Sequence, residues 1–309
     1  MDITFLGTGA AWGVPELNCD CLICREMRQR GEKRERTSIL LSNKTTLLLD
    51  CGPDSRSQLS RHNVDKIDGV LISHEHGDHY MGLDELFVYK RNSHREAFSR
   101  IPVYLTEKSW DVISQRFAYL EEMGVIEIRK IEPYKWFKHS GFDIFSFKTE
   151  HHESFAKGSV GFLIRSNDSY GNKINVVYTS DFKSLPEIPQ ELIEPDFLII
   201  QSFWLNEPLN NRPHHMSFQR AINFIKRLKP KKETFLVHMG DADMVSGDPS
   251  NNKAKKYEPK DPLRPTAGGD PYPIPLHQAQ WQETVDQIMS DRGLPYKVTV
   301  AHDDLRIHV

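Results

Sequence analysis

Short apolar runs broken by polar turns, with a few amphipathic stretches between them, set the rhythm of this chain. Residues 2–6 alternate as a strand does and run into Gly7-Thr8-Gly9. Residues 38–42 and 45–50 read as a hairpin around Asn43-Lys44. Further strands are expected at 68–72, 101–105, 126–128, 142–147, 159–164, 173–178, 196–200 and 234–238. Helical spacing of apolar residues recurs at 55–62, 80–91, 109–123, 218–228 and 281–289, and residues 298–307 close the chain as strand, turn and strand. Residues 25–37 are charged and read as a short helix or an exposed loop. Gly, Pro, Asn and Lys dominate 245–280, which reads as a long, partly mobile loop. One domain over 1–309 is expected, with an inserted loop at about 245–290.

Polar groups able to hold a metal sit where apolar runs end. Gly69-Val70-Leu71-Ile72 leads into Ser73-His74-Glu75-His76-Gly77-Asp78-His79. Imidazole nitrogens and a carboxylate at this density suit divalent ions. His74 and His76, two apart, can face one ion, while Asp78 and His79 turn to a second as the chain leaves the strand. Phe145, Phe147, Thr149 and His151 share one face by the period of two, so His151 is the expected next ligand and His152 the runner-up. Cys19, Cys21 and Cys24 can supply three of the four ligands of a structural zinc. Cys51 reads as a small buried residue. Gly7-Thr8-Gly9 could bring free backbone N–H groups to a phosphate, or simply make a tight turn.

Composition narrows the class. The chain has 309 residues, with 40 Lys plus Arg against 43 Asp plus Glu and a formal net charge of −3. That balance does not call for nucleic acid or an anionic membrane. No apolar run is long enough to cross a bilayer, and residues 1–6 lack a basic leader, so a soluble cytoplasmic protein is expected. Clustered cysteines then point to metal rather than disulfides.

H-x-H-x-D-H after an apolar strand resembles the signature of the metallo-β-lactamase-fold hydrolases. Gly7-Thr8-Gly9, Gly13-Val14-Pro15 and C-x-C-x-x-C together resemble the branch that includes the cyclic-phosphate phosphodiesterase of phosphonate breakdown. The resemblance implies an α/β fold: an αββα sandwich of two mixed β-sheets flanked by helices. It implies that Asp50 orients a ligand histidine, that Asp181 of Thr179-Ser180-Asp181 bridges two ions, and that His238 completes the site. His74, His76 and His151 would then hold one ion, and Asp78, His79 and His238 the other. His215, in His214-His215-Met216-Ser217, would lie outside the ligand shell and protonate the leaving group. The candidate catalytic residues are therefore Asp78, Asp181 and His215.

That branch closes its cysteine site with a histidine three residues after the last ligand. Asp241 stands there instead, with Asp243, water or another histidine as alternatives. Two divalent ions (zinc or manganese) and one structural zinc are expected. The implied reaction is hydrolysis of a small phosphodiester, such as a sugar cyclic phosphate, by hydroxide shared between two ions. Lactone, thioester or amide hydrolysis, a role like that of the related protein of quinone-cofactor biosynthesis, or a non-catalytic zinc scaffold are the alternatives. A relative of the tRNA-maturation nucleases is not expected, because no basic arm is visible; a homodimer is compatible with the reading.

Overall fold

The computed structural model describes residues 1–94, 97–152, 154–167 and 171–309. In chain order the elements are β1 (Asp2–Gly7), α1 (Leu22–Arg30), β2 (Ser38–Ser42), β3 (Thr46–Leu49), α2 (Ser55–Arg61), β4 (Gly69–Leu71), α3 (Gly77–Tyr80), α4 (Leu86–Asn92), β5 (Ile101–Thr106), α5 (Glu107–Glu122) and β6 (Ile126–Ile131). Then follow β7 (Trp136–His139), β8 (Phe142–Lys148), β9 (Val160–Asn167), β10 (Lys173–Tyr178), β11 (Phe197–Gln201), α6 (Phe218–Leu228), β12 (Glu233–Val237), α7 (Gln278–Asp291), β13 (Val298–Val300) and β14 (Arg306–His308).

Among the described residues the strands form two seven-stranded sheets, β14-β1-β2-β3-β4-β5-β6 and β13-β12-β11-β10-β9-β8-β7. Each is mixed. β1, β2 and β3 pair antiparallel, while β3, β4, β5 and β6 run parallel. β7 to β10 pair antiparallel, while β10 to β13 run parallel. Continuous apolar runs such as Leu47-Leu48-Leu49 and Phe197-Leu198-Ile199-Ile200 bury both faces, as strands between two layers must. Phe5, Ile39, Leu49, Phe162, Tyr178 and Phe235 fill the space between the sheets. Outside the first sheet, Leu59, Leu86, Ile113 and Phe117 of the helices cover Leu48, Val70 and Val103. Outside the second, Ile222, Ile225, Trp281 and Val285 of α6 and α7 cover Leu198, Leu236 and Val300. This is the helix–sheet–sheet–helix sandwich expected from the sequence.

Three local differences have physical causes. β7 escapes the pattern because it is an edge strand whose residues are only exposed or half-buried, leaving no apolar face to read. α1 starts at Leu22, ahead of the charged stretch, because Ile23, Cys24 and Met27 give it a buried side. Residues 245–277 carry little regular structure but are docked: Leu263 and Tyr272 join the apolar core, and Asp248 accepts from the backbone N–H of Leu22 at 2.9 Å. α7 starts at Gln278 and packs on the sheet through Trp281, Val285, Ile288 and Met289, so the reading of an insertion to about 290 extends past the irregular segment into a core helix.

The glycines after β1 serve the chain itself. A Cβ at Gly7 would lie 2.2 Å from the Arg36 carbonyl oxygen, and the N–H groups of Thr8 and Gly9 are taken by Asp303 and the Glu35 carbonyl. The phosphate-facing alternative is thereby replaced by close packing against residues 34–36.

Candidate metal centre

Strand ends from both sheets converge at one rim of the sandwich. β4 delivers His74 and His76, and the short turn α3 carries Asp78 and His79. β8 runs into His151, β10 into Asp181, β11 toward Gln201, and β12 into His238. The backbone is forced to turn sharply there: Asp50, Ser180, His214 and His238 all have φ between 54° and 59°. Non-glycine residues adopt that region only when their surroundings over-determine it, and such positions gather at functional sites.

The ligating atoms of His74, His76 and His151 lie within 4.8 Å of one another, and so do those of Asp78, His79, Asp181 and His238. The two groups meet at Asp181. Its Oδ2 is 3.0 Å from His238 Nε2, 3.6 Å from His79 Nε2 and 4.0 Å from His151 Nε2. All of the residues expected at a two-ion site are therefore brought together.

Hydrogen bonds on the far side of the rings show which nitrogens are free. His79 donates through Nδ1 to Asp50 Oδ2 at 2.7 Å. His151 donates through Nδ1 to the His214 carbonyl at 3.0 Å. In its neutral form, a ring that donates from Nδ1 presents an unprotonated Nε2, the form that binds metal. His214 returns the interaction, its Nδ1 donating to the His151 carbonyl at 3.0 Å, so two loops are locked together at the site. Sequence reasoning passed over His214 because its role exists only once the two loops meet.

Buried polar atoms are normally satisfied. Here His74 Nε2, His79 Nε2, His238 Nε2 and Asp181 Oδ1 are buried and have no hydrogen-bond partner. Four orphans aimed into one cluster are what a divalent cation resolves, so the donor set fits the expected ions. Electrostatics agree. Burial lowers the His79 pKa, but Asp78, Asp50 and Asp181 outweigh it and hold the ring well above the ordinary histidine value. Burial, and then His79, His76 and His151, hold His74 well below it. Burial also pushes His151 down to about 4. His79 thus carries a proton that a bound cation would displace, while His74 and His151 are held neutral and ready to ligate.

His151 and His152 are separated by their surroundings. His151 is buried in the cluster, whereas half-buried His152 packs on Phe155 and His214 with ring centroids 4.7 Å and 5.3 Å away. His151→Ala is expected to lower metal affinity and any turnover by about a hundredfold, and His152→Ala by far less. Metal titration and kinetics of both variants check this; the reverse order would show that the strand phase has been misread.

His215 stacks on Phe203 with centroids 4.5 Å apart and planes inclined by 6°. Gln201 Oε1 accepts from the N–H groups of Phe182 (2.9 Å) and Met216 (3.1 Å), which fixes the amide orientation. Its NH2 therefore donates to His215 Nδ1 at 2.7 Å, and the ring proton belongs on Nε2. Gln201 was not singled out in the sequence because it reads as an ordinary strand residue.

A second cluster is separate. Cys19, Cys21, Cys24 and Asp241 are buried with their ligating atoms within 4.8 Å of one another. Asp241 Oδ2 lies 2.8, 3.5 and 3.8 Å from the sulfurs of Cys24, Cys21 and Cys19. Cys21, facing Cys24, is held down to about 6. A thiolate at neutral pH beside two further thiols and a carboxylate is a good zinc donor set. Asp243 is turned away, accepting from the Leu205 N–H at 3.2 Å. Lys255 stands against Asp241 and Glu16. Cys21→Ser is expected to remove about one zinc per chain and lower Tm by at least about 4 °C, while Asp241→His keeps the zinc. Elemental analysis with thermal melts checks this, and unchanged zinc in Cys21→Ser would contradict it.

No helix among the described residues is long and apolar enough to cross a membrane. The beta-lactamase superfamily domain profile matches residues 45–239. Over 122 residues the chain is 39% identical to an octanoyltransferase of Porphyromonas gingivalis, covering 39% of this chain and 23% of that one. It is 29% identical over 180 residues to the ribonuclease Z of Listeria welshimeri, covering 55% of this chain and 51% of that one. The chain thus spans about half or less of the length of these curated relatives. Among solved structures, a diphosphatase from the PhnP family superposes with a TM-score of 0.69 at 22% identity over 99% of this chain and 96% of that one. Zinc-bound PqqB from Methylobacterium extorquens gives 0.69 at 18% over the whole of both chains. The match over residues 45–239, the two-sheet sandwich and the histidine-rich rim place this chain in the beta-lactamase superfamily, with the metallo-β-lactamase fold.

Proposed function

We propose that the chain is a metal-dependent hydrolase, and most specifically a phosphodiesterase acting on a small phosphodiester. The observation that carries this is the set of orphaned nitrogens and the orphaned Asp181 oxygen where the two ligand groups meet. His74, His76 and His151 would hold one divalent ion, and Asp78, His79 and His238 the other, with Asp181 between them. Zinc or manganese bound there would supply Lewis acidity, lower the pKa of water and offset the charge of a phosphoryl group. Cys19, Cys21, Cys24 and Asp241 would hold a structural zinc that ties the loop before α1 to the segment after β12. Relatives that include ribonuclease Z, and zinc-bound PqqB among the structural neighbours, support the same reading.

The chain's own groups then have defined tasks. Asp50 and the His214 carbonyl orient His79 and His151. His215 was expected to protonate the leaving group, but the Gln201 amide already donates to its Nδ1, and burial further opposes a second ring proton. His215 is therefore read as a neutral hydrogen-bond donor through Nε2, stabilising charge on the departing oxygen while solvent supplies the proton. A non-catalytic zinc scaffold is disfavoured, since such a protein has no need of so complete a donor set.

The test is turnover by the metal-replete protein of a chromogenic phosphodiester against chromogenic lactone, thioester and amide probes. Hydrolysis of the diester with loss on chelation supports the proposal. Turnover confined to an acyl substrate would move the reading to the alternative chemistry, and no turnover of any probe would leave the scaffold.

A further inference from the structure

The cysteine cluster is enclosed by the irregular segment that follows β12. Contacts on both sides fix that segment in place. The Tyr257 N–H donates to the Ala242 carbonyl at 2.9 Å, and the buried Lys256 ammonium donates to the carbonyls of Asp241 (2.6 Å) and Asp243 (2.9 Å). Across the cysteine loop, the Leu22 N–H donates to Asp248 at 2.9 Å, and Asp20 accepts from the Ser250 hydroxyl at 3.2 Å. Lys255 is thereby held against the cluster by neighbours that do not depend on its own side chain.

The Lys255 ammonium contacts Asp241 Oδ2 and lies 2.8 Å from Glu16 Oε2. Oδ2 is also the oxygen that faces the three sulfurs, so the ion pair is made at the ligating atom itself. The Asp241 side chain is 2% exposed, and Lys255 is its one ion-pair partner among the described residues. Lys253, two residues earlier, pairs instead with Asp20 on the surface. Glu16 belongs to the same assembly, since its N–H donates to Cys24 Sγ at 3.3 Å. Any buried carboxylate requires a partner. Here the requirement is greater than one carboxylate makes it. Zinc held by three thiolates and a carboxylate keeps two unbalanced negative charges, where a neutral fourth ligand would leave one.

We infer that Lys255 is a working part of the cysteine site: its charge lets an aspartate, in place of a neutral ligand, close the zinc. The inference rests on the structural-zinc reading above and goes beyond it by assigning a residue outside the ligand set. Lys255 acts through Asp241, as a positioning residue. It holds Oδ2 toward the sulfurs and offsets the extra charge that the carboxylate brings, so the two side chains together carry the charge of a neutral ligand. A lysine that merely anchored the segment would be missed equally whatever stood at 241. A charge partner matters only while the residue at 241 is an anion.

The experiment loads the full chain with cobalt(II). Thiolate-to-cobalt charge-transfer absorption reports the cysteine site alone, because no sulfur stands among the rim ligands. Chelator competition followed at that band gives the affinity of wild type, Lys255→Met, Asp241→His and the double variant. Lys255→Met is expected to weaken binding about 10–100-fold with aspartate at 241. With histidine there, the same change is expected to cost no more than about twofold. Asp241→Asn, which offers a neutral oxygen, is a second background in which the cost of Lys255→Met should vanish. An equal loss in all backgrounds, or no loss with aspartate at 241, would overturn the inference while leaving the metal site standing. A thiolate–cobalt band missing from wild type would discard the structural-metal reading itself, and the inference with it.

Discussion

Asp181→Ala is expected to abolish phosphodiester turnover, by more than about a thousandfold, in a chain that still folds. Asp181 lies where the two ligand groups meet, with His238, His79, His215 and His151 all within 4.0 Å of its Oδ2. Its other oxygen is buried without a partner. Removing the carboxylate takes the shared ligand from both positions. It also leaves four rings facing one another without the negative charge that balances them; burial raises the Asp181 pKa, but His238 and His79 outweigh it and hold the carboxyl well below its ordinary value. The fold survives because the residue sits at a strand end, outside the apolar clusters. Kinetics and metal analysis on the purified variant, with circular dichroism as the control for folding, check this. Wild-type activity would remove Asp181 from the site.

Asp50→Ala is expected to act on stability and on the site together. Asp50 is fully buried and accepts from the Ser73 N–H (2.8 Å), the Ser73 hydroxyl (2.9 Å), the Tyr178 hydroxyl (2.7 Å) and His79 Nδ1 (2.7 Å). Alanine leaves these donors inside the sandwich. Each buried unsatisfied group costs about 1–3 kcal/mol, so a loss of at least about 3 kcal/mol is expected. At this chain length that lowers Tm by about 6–12 °C. His79 loses the partner that holds its tautomer, and metal affinity should fall by about 10–100-fold. Thermal melts of the metal-free chain isolate the first effect, and competition with a chelator measures the second. A variant that melts like wild type without metal would show that water replaces the carboxylate.

What could be read from the sequence was what is local. His74 to His79 declare themselves because six consecutive residues carry the spacing, and the strand before them is plainly apolar. His151 followed from the two-residue period, since β8 stays regular up to Lys148. Cys19, Cys21 and Cys24 lie within six residues, where one loop runs into the first turn of α1. Residues whose roles arise from chain crossing were out of reach. His214 matters because its carbonyl meets the His151 ring, 63 residues away. Gln201 matters because two backbone N–H groups from residues 182 and 216 turn its amide. Fold class was legible mainly through the family resemblance carried by H-x-H-x-D-H and C-x-C-x-x-C; the apolar runs agree with it, and the edge strand β7 could be missed without altering the architecture.

The central claim is that the histidine-rich rim holds two ions sharing Asp181. Anomalous diffraction from crystals of the metal-replete protein, measured at the absorption edge of the bound metal, tests it most directly. Two peaks are expected in the rim, one against His74, His76 and His151 and one against Asp78, His79 and His238, with Asp181 touching both. A single peak, or none, in protein shown by elemental analysis to be metal-replete would contradict it.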